Sequence, residues 1–224
     1  MDSPWVHLPS TAPFVLAEDR LSVDTFNKLN RKRPSWRIRT ELMAEPFVGR
    51  VDAPLVILAL NPGFSRRDAH AHARPEFRSA VRRCISAEPA AYPFFHLDPA
   101  LRGPGADWWN LALKELLDRE YDRAVLARSI LCLEFFPYHS ISFAHGHLRL
   151  PSQEYTFSLL RAAIARNAPI IVTRGFSHWT GAVPELAAYT RLFRTRTHRV
   201  ARISKRNCPL GFASACQVIE DALV

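Results

Sequence analysis

The chain alternates short, continuous apolar runs with longer stretches of helical periodicity. Residues 55–60 (LVILAL) form an unbroken hydrophobic run with β-branched members, the pattern of a strand buried on both faces. Residues 129–136 (SILCLEFF) read as a second such strand, interrupted by one charge at Glu134, and residues 168–173 (APIIVT) as a third. Residues 198–204 (HRVARIS) alternate apolar and polar positions and predict an edge strand. Between these runs, Phe77, Val81 and Ile85 recur at spacing four and predict a helix over 75–86. Asp107 reads as the N-cap of a helix to about 119, with Leu111, Leu113, Leu116 and Leu117 as its buried surface. Residues 151–167 open on a proline suited to a first helical turn and carry Leu159, Leu160, Ala163 and Ile164 on one face. A short helix over 184–189 and a closing helix over 213–223 complete the series. Strands alternating with helices predict an α/β fold, in which right-handed crossovers place helices over a parallel sheet.

The remaining segments lack a clear period. Residues 1–45 read as an N-terminal arm packed on a domain formed by residues 46–224. Within the arm a basic run, 26–33, ends at Pro34, and Trp36, Arg37 and Arg39 follow. Interleaved aromatic and basic residues can bind single strands, but a solvated surface with one anchoring aromatic is the favoured reading. Residues 87–106 are rich in Pro, Ala and Gly and read as a long loop over the sheet end, able to cap a pocket with aromatic rings. His70 and His72 alternate in residues 70–73, which read as a solvated loop without metal-ligating partners nearby.

Composition narrows the class. A chain of 224 residues with 48% hydrophobic residues is one domain with a sizeable core. No apolar run approaches membrane-spanning length, and no basic segment precedes an apolar one at the N-terminus. A soluble, cytoplasmic protein without a signal peptide or membrane partner is therefore expected. The formal charge is +9, and of the basic residues only Lys28, Lys32, Lys114 and Lys205 are lysine. Arginine-rich positive charge suits a polyanion, although a general arginine bias of composition would give the same total. Cys84, Cys132, Cys208 and Cys216 contain no C-x-x-C pair, so neither a metal nor a disulfide is expected.

Candidate chemistry gathers at two strand ends. The run over 55–60 stops at Asn61-Pro62-Gly63, where proline fixes φ and glycine allows a tight turn. Asn61 therefore sits at the carboxyl end of a central strand, the edge where open α/β sheets bind ligands. Phe64, Arg66 and Arg67 follow, and arginines beside such a turn suit a phosphate or a base. The second strand ends on Glu134 and then Pro137-Tyr138-His139-Ser140. A carboxylate near the end of a central strand is costly without a partner or a ligand, so Glu134 is either a structural ion pair or a functional group.

A hydrophobic strand followed by Asn61-Pro62-Gly63 resembles the first motif of the uracil-DNA glycosylase superfamily, nearest to its mismatch-specific and single-strand-selective branches. The resemblance spans roughly residues 46–224. It implies a three-layer α/β/α fold with a short, mainly four-stranded parallel sheet, and a monofunctional enzyme without metal or other cofactor. Its partner would be single- or double-stranded DNA, bound by a monomer. Asn61 would orient and polarise the water that attacks C1′ of the deoxyribose. Gly63, Phe64, Glu134, Tyr138 and His139 would bind the base, with Phe64 stacking on it or else closing the core. Arg66, Arg67, Lys205, Arg206 and Asn207 would contact nucleic acid, the last three in a loop over 204–211 that holds the base out of the stack.

Two positions depart from that pattern. Arg202 or Ile203 stands where the single-strand-selective branch has a histidine, a residue that the mismatch-specific branch also lacks. Glu134 stands where the family usually has a base-reading asparagine. An ionised glutamate only accepts hydrogen bonds and would repel O4 of uracil, whereas a protonated one donates. Two other functions fit the same residues: a module that binds nucleic acid or a nucleotide without cleaving it, and hydrolysis of a free nucleoside.

Overall fold

The computed structural model of the chain describes residues 2–119, 121–197 and 201–223. Its centre is the strand β2 (Leu55–Ala59), all five residues of which are buried. An apolar strand without polar alternation must be covered on both faces, and it is flanked by parallel strands β3 (Ile130–Glu134) and β4 (Ile170–Val172). The edge strand β5 (Leu192–Arg194) pairs in parallel with β4. On the other side β1 (Phe47–Gly49) pairs antiparallel with β3, giving the order β1-β3-β2-β4-β5. The fold is thus α/β with a five-stranded, mostly parallel sheet, an architecture consistent with three α/β/α layers. The antiparallel β1 was not foreseen, and it has a functional consequence. It runs backwards along β3, so the residues before it, Glu45 and Pro46, arrive at the carboxyl edge of the parallel strands. There Glu45 N–H donates to Pro137 O and Glu134 N–H to Pro46 O.

Among the described residues the α-helices are α1 (Arg20–Leu29), α2 (Arg66–Ala73), α3 (Pro75–Ile85), α4 (Pro104–Ala112), α5 (Lys114–Leu117), α6 (Arg123–Ser129), α7 (Gln153–Ala165), α8 (Phe176–Ala182) and α9 (Pro209–Asp221). No described helix is long and apolar enough to cross a membrane. The helices read from periodicity, α3 and α7, lie close to their expected bounds. Others differ for physical reasons. The His-Ala-His-Ala segment is not a loop. It is the end of α2, whose Asp68, Ala71 and His72 bury one face at helical spacing. The helix expected from Asp107 begins at Pro104 and breaks at Leu113, so Leu111 turns outward at 48% exposure. Residues 87–106 are no simple surface loop, because Phe94, Phe95, His96 and Leu97 are buried. Of the strand expected over 198–204, residues 198–200 lie outside the described residues. Residues 201–204 form no strand. There Ala201 and Ile203 are buried, and Ile203 N–H donates to Ala112 O at the end of α4, so that packing, rather than a ladder, produces the alternation.

The N-terminal segment shares the core. Trp5, Phe14, Leu16, Val23 and Phe26 are buried in the same cluster as the central strands. Gly49 fixes the β1–β3 contact. Its φ is +111°, and a Cβ there would lie 2.1 Å from Ile130 O. Gly49→Ala should cost on the order of 2–3 kcal/mol in thermal or chemical denaturation. Gly181→Ala, where a Cβ meets nothing within 4 Å, should leave stability unchanged or slightly raised.

Candidate functional site

A cavity of about 370 Å³ opens at the carboxyl edge of β2, β3 and β4. That size suits a small organic ligand. Ala59 and Glu134 lie opposite one another at the ends of β2 and β3. Leu60 O accepts from Phe136 N–H, so the chain leaves β2 still tied to its neighbour. Asn61 follows at the cavity wall. Its Nδ2 donates to Pro62 O (2.9 Å) and to Ser140 Oγ (3.0 Å). The amide is thereby fixed in orientation, and Oδ1 remains as its acceptor on a residue that lines the cavity. Gly63 and Phe64 also line the cavity, and the Arg39 guanidinium lies 4.2 Å from the centre of the Phe64 ring. Trp108 from α4 adds another ring to the lining, at 37% exposure.

Two carboxyl groups line this cavity in opposite states. Burial, then the negative charge of Glu45, pushes Glu134 up to about 8, against the opposing charge of Arg174. Glu134 therefore carries its proton at neutral pH and can both donate and accept. Its Oε2 is buried without a hydrogen-bond partner. Burial also acts to raise Glu45, but hydrogen bonds from His72 and His96, and then the charge of His96, outweigh it and hold this carboxyl well below the usual range. Glu45 Oε2 lies 3.2 Å from His96 Nε2; Oε1 lies 3.4 Å from His72 Nε2 and 3.7 Å from His139 Nε2. His139 Nδ1 donates to Gly63 O at 2.7 Å. Burial lowers the His139 pKa despite the Glu45 charge, so the ring favours its neutral form, with the Nε2 lone pair toward Glu45. His139 thus links the buried carboxylate to the turn that carries Asn61.

The structure brings Asn61, Gly63, Phe64, Glu134 and His139 together, and separates the other expected site residues from them. Tyr138 points elsewhere. Its hydroxyl donates to Asp19 Oδ2 (2.7 Å) and accepts from Leu16 N–H, a buried tie between the N-terminal segment and the rim. Arg66 and Arg67 are exposed at the start of α2, and Arg67 pairs with Asp107 at 3.0 Å. Lys205 and Arg206 are exposed and line a separate recess with Glu115, Asp118, Arg119 and Phe212. That recess lies toward the far end of α4, a helix about 13 Å long whose N-terminal residues line the cavity. Asn207 is buried, and its side chain is structural: Nδ2 donates to Arg202 O and Oδ1 accepts from Thr197 N–H. Leu210, 74% exposed in the first turn of α9, is an unexpected apolar group a few residues after Lys205 and Arg206.

Glu45, His72 and His96 escaped sequence reading. They come from a pre-strand turn, a helix and a buried aromatic segment, with no motif spacing between them. The available signal was a histidine inside an aromatic run, Phe94-Phe95-His96-Leu97, and a glutamate at the edge of one, Glu45-Pro46-Phe47. No family model, curated protein or solved structure matches this chain. Tyr138→Phe should lower stability by about 1–3 kcal/mol, because Leu16 N–H loses its partner and Asp19 keeps only the donors of Ser152. It should leave ligand binding in the cavity unchanged when both are measured on the same preparation.

Proposed function

We propose that the protein is a DNA glycosylase-like enzyme that hydrolyses the N-glycosidic bond of a deaminated or modified base extruded from DNA. The observation that supports this most is the meeting of a fixed Asn61 amide, a protonated Glu134 and the rings of Phe64 and Trp108 in one cavity. Each group has a task in such a reaction. Asn61 Oδ1 accepts from a water and aims it at C1′, and cleavage of this bond is dissociative enough that orientation matters more than basicity. As the C1′–N bond breaks, its electron pair goes to the base, and the proton shed by the attacking water passes through solvent to the departing base anion. The Glu134 hydroxyl donates to a base carbonyl and spreads that charge, a task for which no histidine is present in the final loop. The second Glu134 oxygen accepts from the neighbouring ring N–H. A carbonyl beside a ring N–H is the edge that deamination creates, so Glu134 favours a deaminated base over its amino parent. The aromatic rings supply stacking for a base taken out of the helix. Lys205 and Arg206 offer charge, and the exposed Leu210 in the first turn of α9 offers a wedge.

The test is incubation with labelled single- and double-stranded DNA carrying uracil, hypoxanthine, xanthine or mismatched thymine, followed by alkali. Strand breaks are expected, reduced at least about 100-fold in Asn61→Ala with binding retained. No breaks on any substrate, with DNA still shifted in a gel, would make the protein a binding module instead. The pH profile adds a second check. The donating form of Glu134 predominates well below about 8, is halved at that value and is lost above it, so turnover of a deaminated base should fall as pH rises through it. Glu134→Gln keeps a donor that does not titrate, and its profile should stay flat across the same range.

A further inference from the structure

From the cluster under the Asn61 turn we propose a further site, which does not depend on the glycosylase reading: Glu45, His72 and His139 bind one divalent transition-metal ion of the zinc class. Their ligand atoms lie within 4.8 Å of one another, and all three residues are buried. The separations of 3.4 and 3.7 Å from Glu45 Oε1 to the two imidazole nitrogens are close to those between donors sharing one small cation.

Two of the three donors face each other without a proton between them. His139 gives its Nδ1 proton to Gly63 O, which leaves the Nε2 lone pair turned toward the carboxylate. His139 Nε2 is buried without a hydrogen-bond partner, and Glu45 Oε1 has only the long 3.4 Å contact from His72 Nε2. A lone pair held against a carboxylate oxygen, away from water, is unfavourable unless a cation lies between them. The backbone carbonyl on Nδ1 is also the outer contact that orients a metal-ligating histidine. His96, donating to Glu45 Oε2, provides the same support for the carboxylate.

His72 is the exception. Its Nδ1 accepts from Met43 N–H at 3.2 Å, which puts the ring proton on Nε2. The ion takes this nitrogen once the proton has moved to Nδ1, and the Met43 hydrogen bond is given up in return for the coordinate bond. Imidazole nitrogens with one carboxylate select zinc, iron, cobalt or nickel over magnesium and calcium. Glu45 and His139 line the cavity, so a further coordination position opens toward it.

The test uses untagged full-length protein, stripped with a chelator and titrated with Zn²⁺ and, separately, Co²⁺, without DNA. One equivalent of metal by elemental analysis, a Co²⁺ visible spectrum of histidine–carboxylate type and a raised Tm are expected. Affinity should fall on the order of 100-fold or more in Glu45→Gln and His139→Gln, and stay unchanged in His70→Gln, which alters the exposed histidine of α2. Substoichiometric binding, or equal binding by all variants, would overturn the proposal. Should the buried variants unfold, ¹⁵N-histidine spectra of the unmodified protein decide. Zn²⁺ must shift the Nε2 signals of two histidines, and unshifted signals would overturn the assignment. Strand cleavage measured in chelator reports on the glycosylase reading alone, so the two can fail separately.

Discussion

A carboxylate taken out of water must be compensated, and the Glu45 carboxylate, 5% exposed, sets the terms for the surrounding structure. It reaches the carboxyl edge of the sheet only because β1 runs antiparallel to β3, a pairing that requires Gly49 at the close approach to Ile130. Around it, α2 contributes His72, the buried aromatic segment His96, and the rim after β3 His139. His139 passes the constraint on to Gly63, and Ser140 to Asn61. The turn that carries the amide proposed to aim a water is thus tied to the buried ion cluster, while the amide itself is held by Pro62 O and Ser140 Oγ.

The same cavity holds a second carboxyl, Glu134, whose environment pushes it the opposite way. Glu45 is ionised because histidines surround it, and Glu134 keeps its proton because burial and the neighbouring negative charge leave it no cheaper choice. Two acids with opposite states in one pocket divide the work: one holds the scaffold and the other presents a donor to a ligand. The basic surface is less concentrated than the net charge suggests. Arg67 is paired with Asp107, and Lys205 and Arg206 sit beside Glu115 and Asp118.

Much of the sheet was legible because strands buried on both faces must be apolar throughout, as residues 55–60 and 129–136 are. The turn at Asn61 and the rim at His139 were legible for the same reason, since both follow such a strand directly. What escaped was set by tertiary contact. β1 is three residues long and has no period to read. α2 is a polar helix whose burial of His72 depends on Glu45 more than 25 positions away. Tyr138 and Asn207 were credited with ligand contacts, but each spends its polar atoms on backbone or a buried acid of its own chain. A side chain's type in a rim motif says that it can hydrogen-bond, and only packing says to what.

The central claim is that this cavity receives a single extruded base and reads its edge with Glu134. A crystal structure of the Asn61→Ala protein with a short DNA strand carrying a deaminated base tests it most directly. The account predicts the base inside the cavity, its carbonyl and ring N–H within hydrogen-bond distance of the Glu134 carboxyl, and its face against Phe64 or Trp108. A strand bound elsewhere with the cavity unoccupied, or a base turned away from Glu134, would contradict it.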